Sequence, residues 1–190
     1  ATPRTMTVNV TAVNDAPVTT VPVAQTATTN TPLLFSNVGG NPIKVTDIDA
    51  AASPVQVTLT AADGTLTLSG TAGLTFSIGT GTGDATMTFT GTISDINGAL
   101  DILRFDPTLN YAGSTTVTVA TSDLGNAGAG GAKSDSRVVI INVSATNIAP
   151  VLSGANDLLL TLEDASIEAG TPVSGLIAGQ IADADAGALK

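Results

Sequence analysis

The sequence predicts an all-β fold of antiparallel sheets, with one short helix and parts of neighbouring repeats at both ends. Three observations support this prediction: a hydrophobic period of two along most of the chain, a core-forming composition of small side chains, and a short sequence that occurs twice. Aromatic residues make up only 3% of the 190 residues. The core must therefore be built mainly from small and β-branched side chains on pleated strands.

The repeated sequence defines how the chain is organised. Residues 8–18 have the sequence Val-Asn-Val-Thr-Ala-Val-Asn-Asp-Ala-Pro-Val, and residues 141–151 have the related sequence Ile-Asn-Val-Ser-Ala-Thr-Asn-Ile-Ala-Pro-Val. A second related pair, residues 45–50 and 181–186, follows at nearly the same spacing. The chain is therefore expected to be a slice of a tandem array. We expect residues 1–17 to be the closing strand and linker of a preceding repeat, 18–150 a complete repeat, and 151–190 the opening part of the next.

Alternating apolar residues predict the strands in order. The apolar positions that define them are Met6, Val8 and Val10; Val55, Val57 and Leu59; Leu66 and Leu68; Leu74, Phe76 and Ile78; Met87 and Phe89; and Val117 and Val119. Turn signals at residues 63–64, 69–70, 79–84 and 125–131 separate these strands.

One segment breaks the alternation. In residues 94–103, Ile96, Leu100 and Leu103 have helical spacing, and Ser94 or Asp95 can cap the first turn. We therefore predict one short helix that bridges the two sheets.

Composition excludes several classes of function. The chain has 16 acidic and 6 basic residues and a formal net charge of −10, which disfavours binding to nucleic acid or to an anionic membrane. It contains no Cys for disulfides and no His for general-base catalysis or transition-metal binding. No apolar run approaches the length of a membrane span.

We expect the protein not to be an enzyme. Ser and Thr are plentiful, but there is no His to activate them. Paired carboxylates could serve glycoside hydrolysis, yet sugar clefts are usually lined by Trp and Tyr, and this chain has one Tyr and no Trp. The same shortage weakens the alternative function, a carbohydrate-binding or other ligand-binding β-sandwich module.

The acidic residues are concentrated at strand ends and in loops. Asp47 and Asp49 form an Asp-x-Asp pair, Asp183 and Asp185 form another in the matching place, and Asp123 lies where a strand enters a Gly-rich loop. Ca²⁺ is bound by about six to eight hard oxygen ligands, including carboxylates, amides and carbonyls. The same motifs are also ordinary turn chemistry, since Asp caps its own backbone and Pro fixes φ. Both interpretations of the Asp residues remain open at this point.

The set of motifs resembles a known family. The Asn-Asp-Ala-Pro linker, the Ala-Thr-Ser-Asp-Leu-Gly loop at residues 120–125 and the Asp-x-Asp of the following module resemble the cadherin repeat. Residues 90–100 and the sequence Arg104-Phe105-Asp106-Pro107 make it more similar to the bacterial cadherin-like tandem repeats of giant secreted surface proteins and adhesins. The resemblance covers roughly residues 5–150, and residues 151–190 are similar to the opening of another such module.

The resemblance implies a cadherin-like or Ig-like β-sandwich of about seven strands with Ca²⁺ bound at the junctions between modules. Carried over by position, the ligands of the first junction would be Asn14, Asp15, Asp47, Asp49 and Asp123. Those of the second would be Asn147, Asp183 and Asp185, together with Asp106 from the complete module. The second linker has Ile148 in place of Asp15, so that junction lacks one carboxylate.

The resemblance also implies a function. We expect a structural, Ca²⁺-stiffened extender or adhesive repeat of a secreted cell-surface or filament-forming bacterial protein, located outside the cell. Its expected partners are neighbouring repeats or other copies of the chain, through head-to-tail donor-strand assembly, and a cell-surface or polysaccharide ligand. We expect no nucleic-acid partner and no membrane span.

Overall fold

A computed structural model describes residues 3–125, 128–147, 149–156, 174 and 177–183. The chain divides into two compact units, Ala1–Ala145 and Thr146–Lys190. The division falls within the second copy of the repeated sequence, close to the predicted boundary at residue 150. The repeat boundaries themselves remain predictions.

The first unit is a β-sandwich with one helix. Its strands are β1 (Val18–Thr20), β2 (Gln25–Thr28), β3 (Leu33–Phe35), β4 (Lys44–Thr46), β5 (Val55–Ala61), β6 (Gly64–Thr67), β7 (Thr75–Ile78), β8 (Thr86–Gly91), β9 (Leu103–Pro107), β10 (Gly113–Ser122) and β11 (Ser134–Ser144), and its helix is α1 (Ile93–Leu100). The strands form a six-stranded sheet in the order β2-β11-β10-β5-β8-β7, a three-stranded sheet β3-β9-β6 and the pair β1-β4.

A single hydrophobic core joins these sheets. In the central strand β5, Val55, Val57, Leu59 and Ala61 are buried and alternate with more exposed residues, as the period of two predicts. The neighbouring strands β8, β10 and β11 add further core residues, and the three-stranded sheet and α1 contribute Phe35, Leu66, Ile96, Leu100 and Phe105. The predicted all-β sandwich with one short helix is therefore confirmed.

Two features of the sheets differ from the expectation. Strand β2 pairs with β11 in parallel, whereas every other strand pair of this unit is antiparallel among the described residues. The unit also contains more strands than the roughly seven that the resemblance implies. Several of the additional strands are only three or four residues long and lie at sheet edges or in the separate β1-β4 pair.

Helix α1 starts and ends earlier than predicted. The hydroxyl of Thr92, rather than that of Ser94, accepts the backbone N–H of Asp95 at 3.2 Å and caps the first turn. The helix ends at Leu100, because Ile102 turns the backbone with φ of 69°. Leu103 therefore enters the core from strand β9, where it pairs with Phe35, and not from the helix.

The predicted strand around Met6, Val8 and Val10 is wrong for this structure. Residues 3–12 contain no regular secondary structure, and these three side chains are 84%, 72% and 88% exposed. No described strand pairs with the segment, so no strand in the described part of the chain covers its apolar side chains. Regular pairing begins only at Val13, which forms a parallel bridge with Ala129.

The second unit contains an antiparallel pair between β12 (Val151–Leu152) and β13 (Ile181–Ala182). Val151 pairs with Ala182 in this unit, and Val18 pairs with Thr46 in the first unit. The repeated sequences align Val18 with Val151 and Thr46 with Ala182. The second unit therefore opens with a strand pair of the same register as β1-β4.

Candidate functional site

The predicted residues of the first junction meet at one end of the first unit. They come from three separate segments: the linker at residues 14–15, the loop that follows β4, and the end of β10. In the loop after β4, Oδ1 of Asp47 accepts the backbone N–H groups of Asp49 at 3.2 Å and Ala50 at 3.3 Å. This is the turn chemistry that the sequence allowed, and it uses only one oxygen of Asp47.

The linker is attached to this loop through its backbone. The N–H of Asp15 donates to Oδ2 of Asp49 at 2.9 Å, while the Asp15 side chain is exposed. The contact brings the linker against the Asp-x-Asp pair, which lies 34 residues further along the chain.

Asn14 is the central residue of the site and is 0% exposed. Its Nδ2 donates to Oδ2 of Asp123 at 2.6 Å and to the carbonyl oxygen of Gly131 at 2.8 Å. Both partners are acceptors, so the amide nitrogen must face them and Oδ1 must face the other way.

Three buried side-chain oxygens in the described part of the chain have no hydrogen-bond partner. They are Oδ1 of Asn14, Oδ2 of Asp47 and Oδ1 of Asp49. All three belong to residues predicted as ligands of the first junction. Buried oxygens without a partner are costly, and an ion is one of the usual reasons for their presence.

Asp123 is occupied by protein donors. Its Oδ1 accepts the backbone N–H groups of Lys133 at 2.7 Å and Gly125 at 2.8 Å, and its Oδ2 accepts the amide of Asn14. Burial would raise the pKa of Asp123, but these hydrogen bonds and the charge of Lys133 outweigh it and lower the pKa. The carboxylate therefore stays ionised and organises the loop around it.

The pKa values of the Asp-x-Asp pair move in opposite directions. Burial and the neighbouring Asp49 carboxyl raise the pKa of Asp47 above 3.8. The backbone N–H of Asp15, followed by the Asp47 side chain, lowers the pKa of Asp49. The two carboxyls are therefore close enough to interact, and a cation between them would favour the ionised form of both.

Lys133 is a residue of this site that the sequence did not reveal. Its ammonium group donates to the carbonyl oxygen of Asn14, and its backbone N–H donates to Asp123. The available signal was weak: one of only 6 basic residues follows the Gly-rich loop ten positions after Asp123.

The residues that the structure describes contain no group of three or more Asp, Glu, His or Cys side chains that could hold a metal ion. The arrangement at this end consists instead of two carboxylates, one from each residue of the Asp-x-Asp pair, and the amide oxygen of Asn14. Carboxylate and amide oxygens are ligands that Ca²⁺ accepts, so the donor set fits that ion in chemical type.

The structure says less about the predicted second junction. Asp106 lies in β9 of the first unit, where its Oδ1 is 2.5 Å from Nη2 of Arg104. Asn147 is exposed, and Asp183 directly follows β13, as Asp47 follows β4. Asp185 and Ile148 lie outside the described residues.

Comparisons with known proteins give little further information. No protein-family model matches the sequence, and a search of curated proteins finds no significant match. Among solved structures, the chain is similar to the cohesin module of a family 33 glycoside hydrolase from Clostridium perfringens. The TM-score is 0.35 and the sequence identity 11%, over 71% of this chain and 100% of that module. This similarity is too distant to assign a function.

Helix α1 has only 8 residues, well short of the roughly 20 that a membrane-spanning helix needs. No helix in the described parts of the chain is long and apolar enough to cross a membrane.

Proposed function

We propose that this chain is a Ca²⁺-stiffened extender module of a secreted bacterial surface or filament-forming protein. The ion would bind where the linker meets the following module. The proposed ligands on this chain are Oδ1 of Asn14, Oδ2 of Asp47 and Oδ1 of Asp49, with Asp123 holding Asn14 in place.

One observation carries this proposal. The buried, unpartnered side-chain oxygens of the described residues all belong to this one site, although it is formed by segments far apart in sequence. An accidental packing defect would not select the residues that the sequence motifs single out. A hard cation bound to these oxygens would compensate for their loss of contact with water.

The repeated strand pair supports the extender part of the proposal. The pair β12-β13 has the register of β1-β4, and Asp183 follows β13 just as Asp47 follows β4. A chain that repeats both the strand pair and the acidic loop is suited to building a row of similar modules. Its function would then be mechanical, to project or connect other domains.

Calorimetric titration of the full chain with Ca²⁺ tests the proposal. We expect binding with a dissociation constant of roughly 10⁻⁴ to 10⁻³ M, which is typical of extracellular modules. The absence of heat and of any stability change in millimolar Ca²⁺ would contradict it. Mg²⁺ serves as the comparison, because it prefers a smaller octahedral site and keeps more of its water.

Assembly with other modules is a further part of this proposal. The exposed apolar residues Val8 and Val10 align with Ile141 and Val143, which are buried in β11. Residues 3–12 therefore have the sequence of a closing strand and would pair with a neighbouring module or another copy of the chain. Light scattering of the full chain over a range of concentrations measures this, and a strictly monomeric chain would argue against assembly between copies.

No specific observation favours the alternative, a carbohydrate-binding module. Phe35, Phe89 and Phe105 are fully buried, and the hydroxyl of Tyr111 donates to the carbonyl of Ser114 at 2.7 Å. The three buried Phe rings offer no face on which a sugar could stack, and Phe76 and Tyr111 are each partly buried against the core.

A further inference from the structure

We infer that residues 12–14 of the linker are locked onto the module that follows them by protein contacts alone, with Asp123 and Lys133 as positioning residues. The lock holds Asn14 so that its Oδ1 is presented to the site, and it persists when no cation is bound. This inference goes beyond the proposed function, because the lock exists whether or not Ca²⁺ is the ligand.

The first part of the lock is a backbone bridge. The N–H of Asn14 donates to the carbonyl of Ala129 at 2.9 Å, and the N–H of Ala129 donates to the carbonyl of Ala12 at 2.9 Å. These two bonds form the parallel bridge between Val13 and Ala129. The linker is thus hydrogen-bonded to the Gly-rich loop between β10 and β11.

The second part is the buried carboxylate of Asp123. It joins the two ends of that loop through the N–H groups of Gly125 and Lys133, and it accepts the side-chain amide of Asn14. A hydrogen bond to a charged group is stronger than one between neutral groups, and a buried carboxylate left without its donor is costly. Asp123 therefore binds the linker to the loop without the need for a metal.

The third part is the ammonium group of Lys133, which donates to the carbonyl of Asn14. This positive charge also lies close enough to Asp123 to favour its ionised form. Together, Asp123 and Lys133 hold both the side chain and the backbone of Asn14. The cation would then balance the carboxylates of the Asp-x-Asp loop, whereas residues 12–14 would dock without it.

Amide hydrogen exchange, measured by NMR on the full chain, tests the lock directly. The readouts are the amides of Asn14 and Ala129, with the amides of the central strand β5 as a measure of global folding. In the unmodified protein we expect protection at Asn14 and Ala129 both in Ca²⁺ and in excess chelator. Exchange of these two amides at unprotected rates in chelator, with β5 still protected, would overturn the inference.

Two variants identify the positioning residues. Asp123→Asn retains an oxygen for the loop N–H groups but places an amide NH₂ opposite the NH₂ of Asn14, so it removes that one bond. Lys133→Met removes the ammonium and leaves its backbone N–H in place. We expect each variant to lose protection at Asn14 and Ala129 in chelator by at least about tenfold, the size expected for one hydrogen bond to a charged group.

Lys44→Met is the matched control, because Lys44 is exposed, lies in β4 and has its charge close to Asp101 at the end of α1. It should leave both amides protected. If Asp123→Asn also loses protection in β5, the variant is globally destabilised, and Lys133→Met then tests whether the linker is held by the lock. Full protection in Lys133→Met and in a folded Asp123→Asn would show that neither residue positions the linker.

The measurements separate this inference from the proposed function. If the amides are protected in a chain that does not bind Ca²⁺, the lock is supported and the cation site is contradicted. If the amides are unprotected in chelator in a chain that binds Ca²⁺, the cation site is supported and the lock is contradicted.

Discussion

The amide of Asn14 donates a 2.6 Å hydrogen bond to the carboxylate of Asp123, 109 residues further along the chain. This bond joins the linker to the far end of β10 and determines which way the Asn14 amide faces. Among the described residues, the oxygen that results has no hydrogen-bond partner, and the same holds for Oδ2 of Asp47 and Oδ1 of Asp49. The proposed cation site is a consequence of this single long-range contact together with the Asp-x-Asp loop.

Removal of one proposed ligand should weaken Ca²⁺ binding. In Asp49→Asn, one ligand carboxylate becomes a neutral amide, and we expect the affinity measured by calorimetric titration to fall by roughly tenfold or more. Asp63→Ala is the control, because Asp63 follows β5 and is not part of the proposed ligand set. Equal affinities in the two variants would remove Asp49 from the ligand set.

Ca²⁺ should raise the melting temperature. With a dissociation constant of 10⁻⁴ to 10⁻³ M, about 10 mM Ca²⁺ stabilises the folded state by about 1.4–2.7 kcal/mol through mass action. A change of this size shifts the melting temperature of a domain by roughly 3–10 °C. Differential scanning calorimetry in Ca²⁺ and in chelator measures the shift, which the tenfold weaker binding of Asp49→Asn should reduce by at least about half.

Asp135 should make stability depend on acid pH. Its Oδ2 accepts the backbone N–H of Thr19 at 2.8 Å, and this bond, together with Arg137, lowers its pKa below 3.8. A lowered pKa means that the ionised carboxyl stabilises the folded state above pH 3.8, and that this contribution is lost as the pH falls through the folded-state pKa.

The variant Asp135→Asn tests this direction of the pH dependence of stability. It should be less stable than the unmodified protein at pH 7, and the two should converge as the pH falls below the folded-state pKa. Urea unfolding at a series of pH values measures the difference. A difference that stays constant from neutral to strongly acid pH would show that ionisation of Asp135 does not contribute.

A methyl group at position 128 should displace the linker. Gly128 has φ of 80°, and a Cβ there would lie 2.8 Å from the backbone nitrogen of Asn14. We expect Gly128→Ala to lose amide protection at Asn14, because the obstructing atoms are backbone and cannot rotate away. Gly40→Ala is the matched control, since Gly40 has a similar φ of 73° but no atom within 4 Å of a Cβ. Protection at Asn14 that is equal in both variants would contradict the close approach.

The core should be most sensitive at the central strand. Leu59 is fully buried in β5, so Leu59→Ala should lower the free energy of unfolding by about 2–5 kcal/mol. Thr60 is the next residue and is exposed, so Thr60→Ala should change it by no more than about 1 kcal/mol. Chemical denaturation of both variants checks that Leu59 lies on the buried face of β5 and Thr60 on the exposed face. Similar losses of unfolding free energy in the two variants would contradict this assignment.

Local pattern was sufficient for much of the fold. The alternation at Val55, Val57 and Leu59 predicts a half-buried strand, because successive side chains of an extended chain point to opposite faces. The same pattern was misleading at Met6, Val8 and Val10, which remain exposed without a described partner strand. Alternation predicts the capacity to form a strand, whereas pairing depends on a second strand.

By itself, the sequence determined the all-β class, the repeated segments and the residue types of the candidate site. Only the tertiary structure brought Asn14 to Asp123, placed Lys133 on the linker carbonyl and left three oxygens of the described residues buried without partners. It also placed Leu103 in a strand by turning the chain at Ile102. The physical reason is the range of the interactions: side-chain alternation and turn chemistry act over a few residues, whereas burial and hydrogen-bond partners depend on segments that folding brings together from more than 100 positions apart.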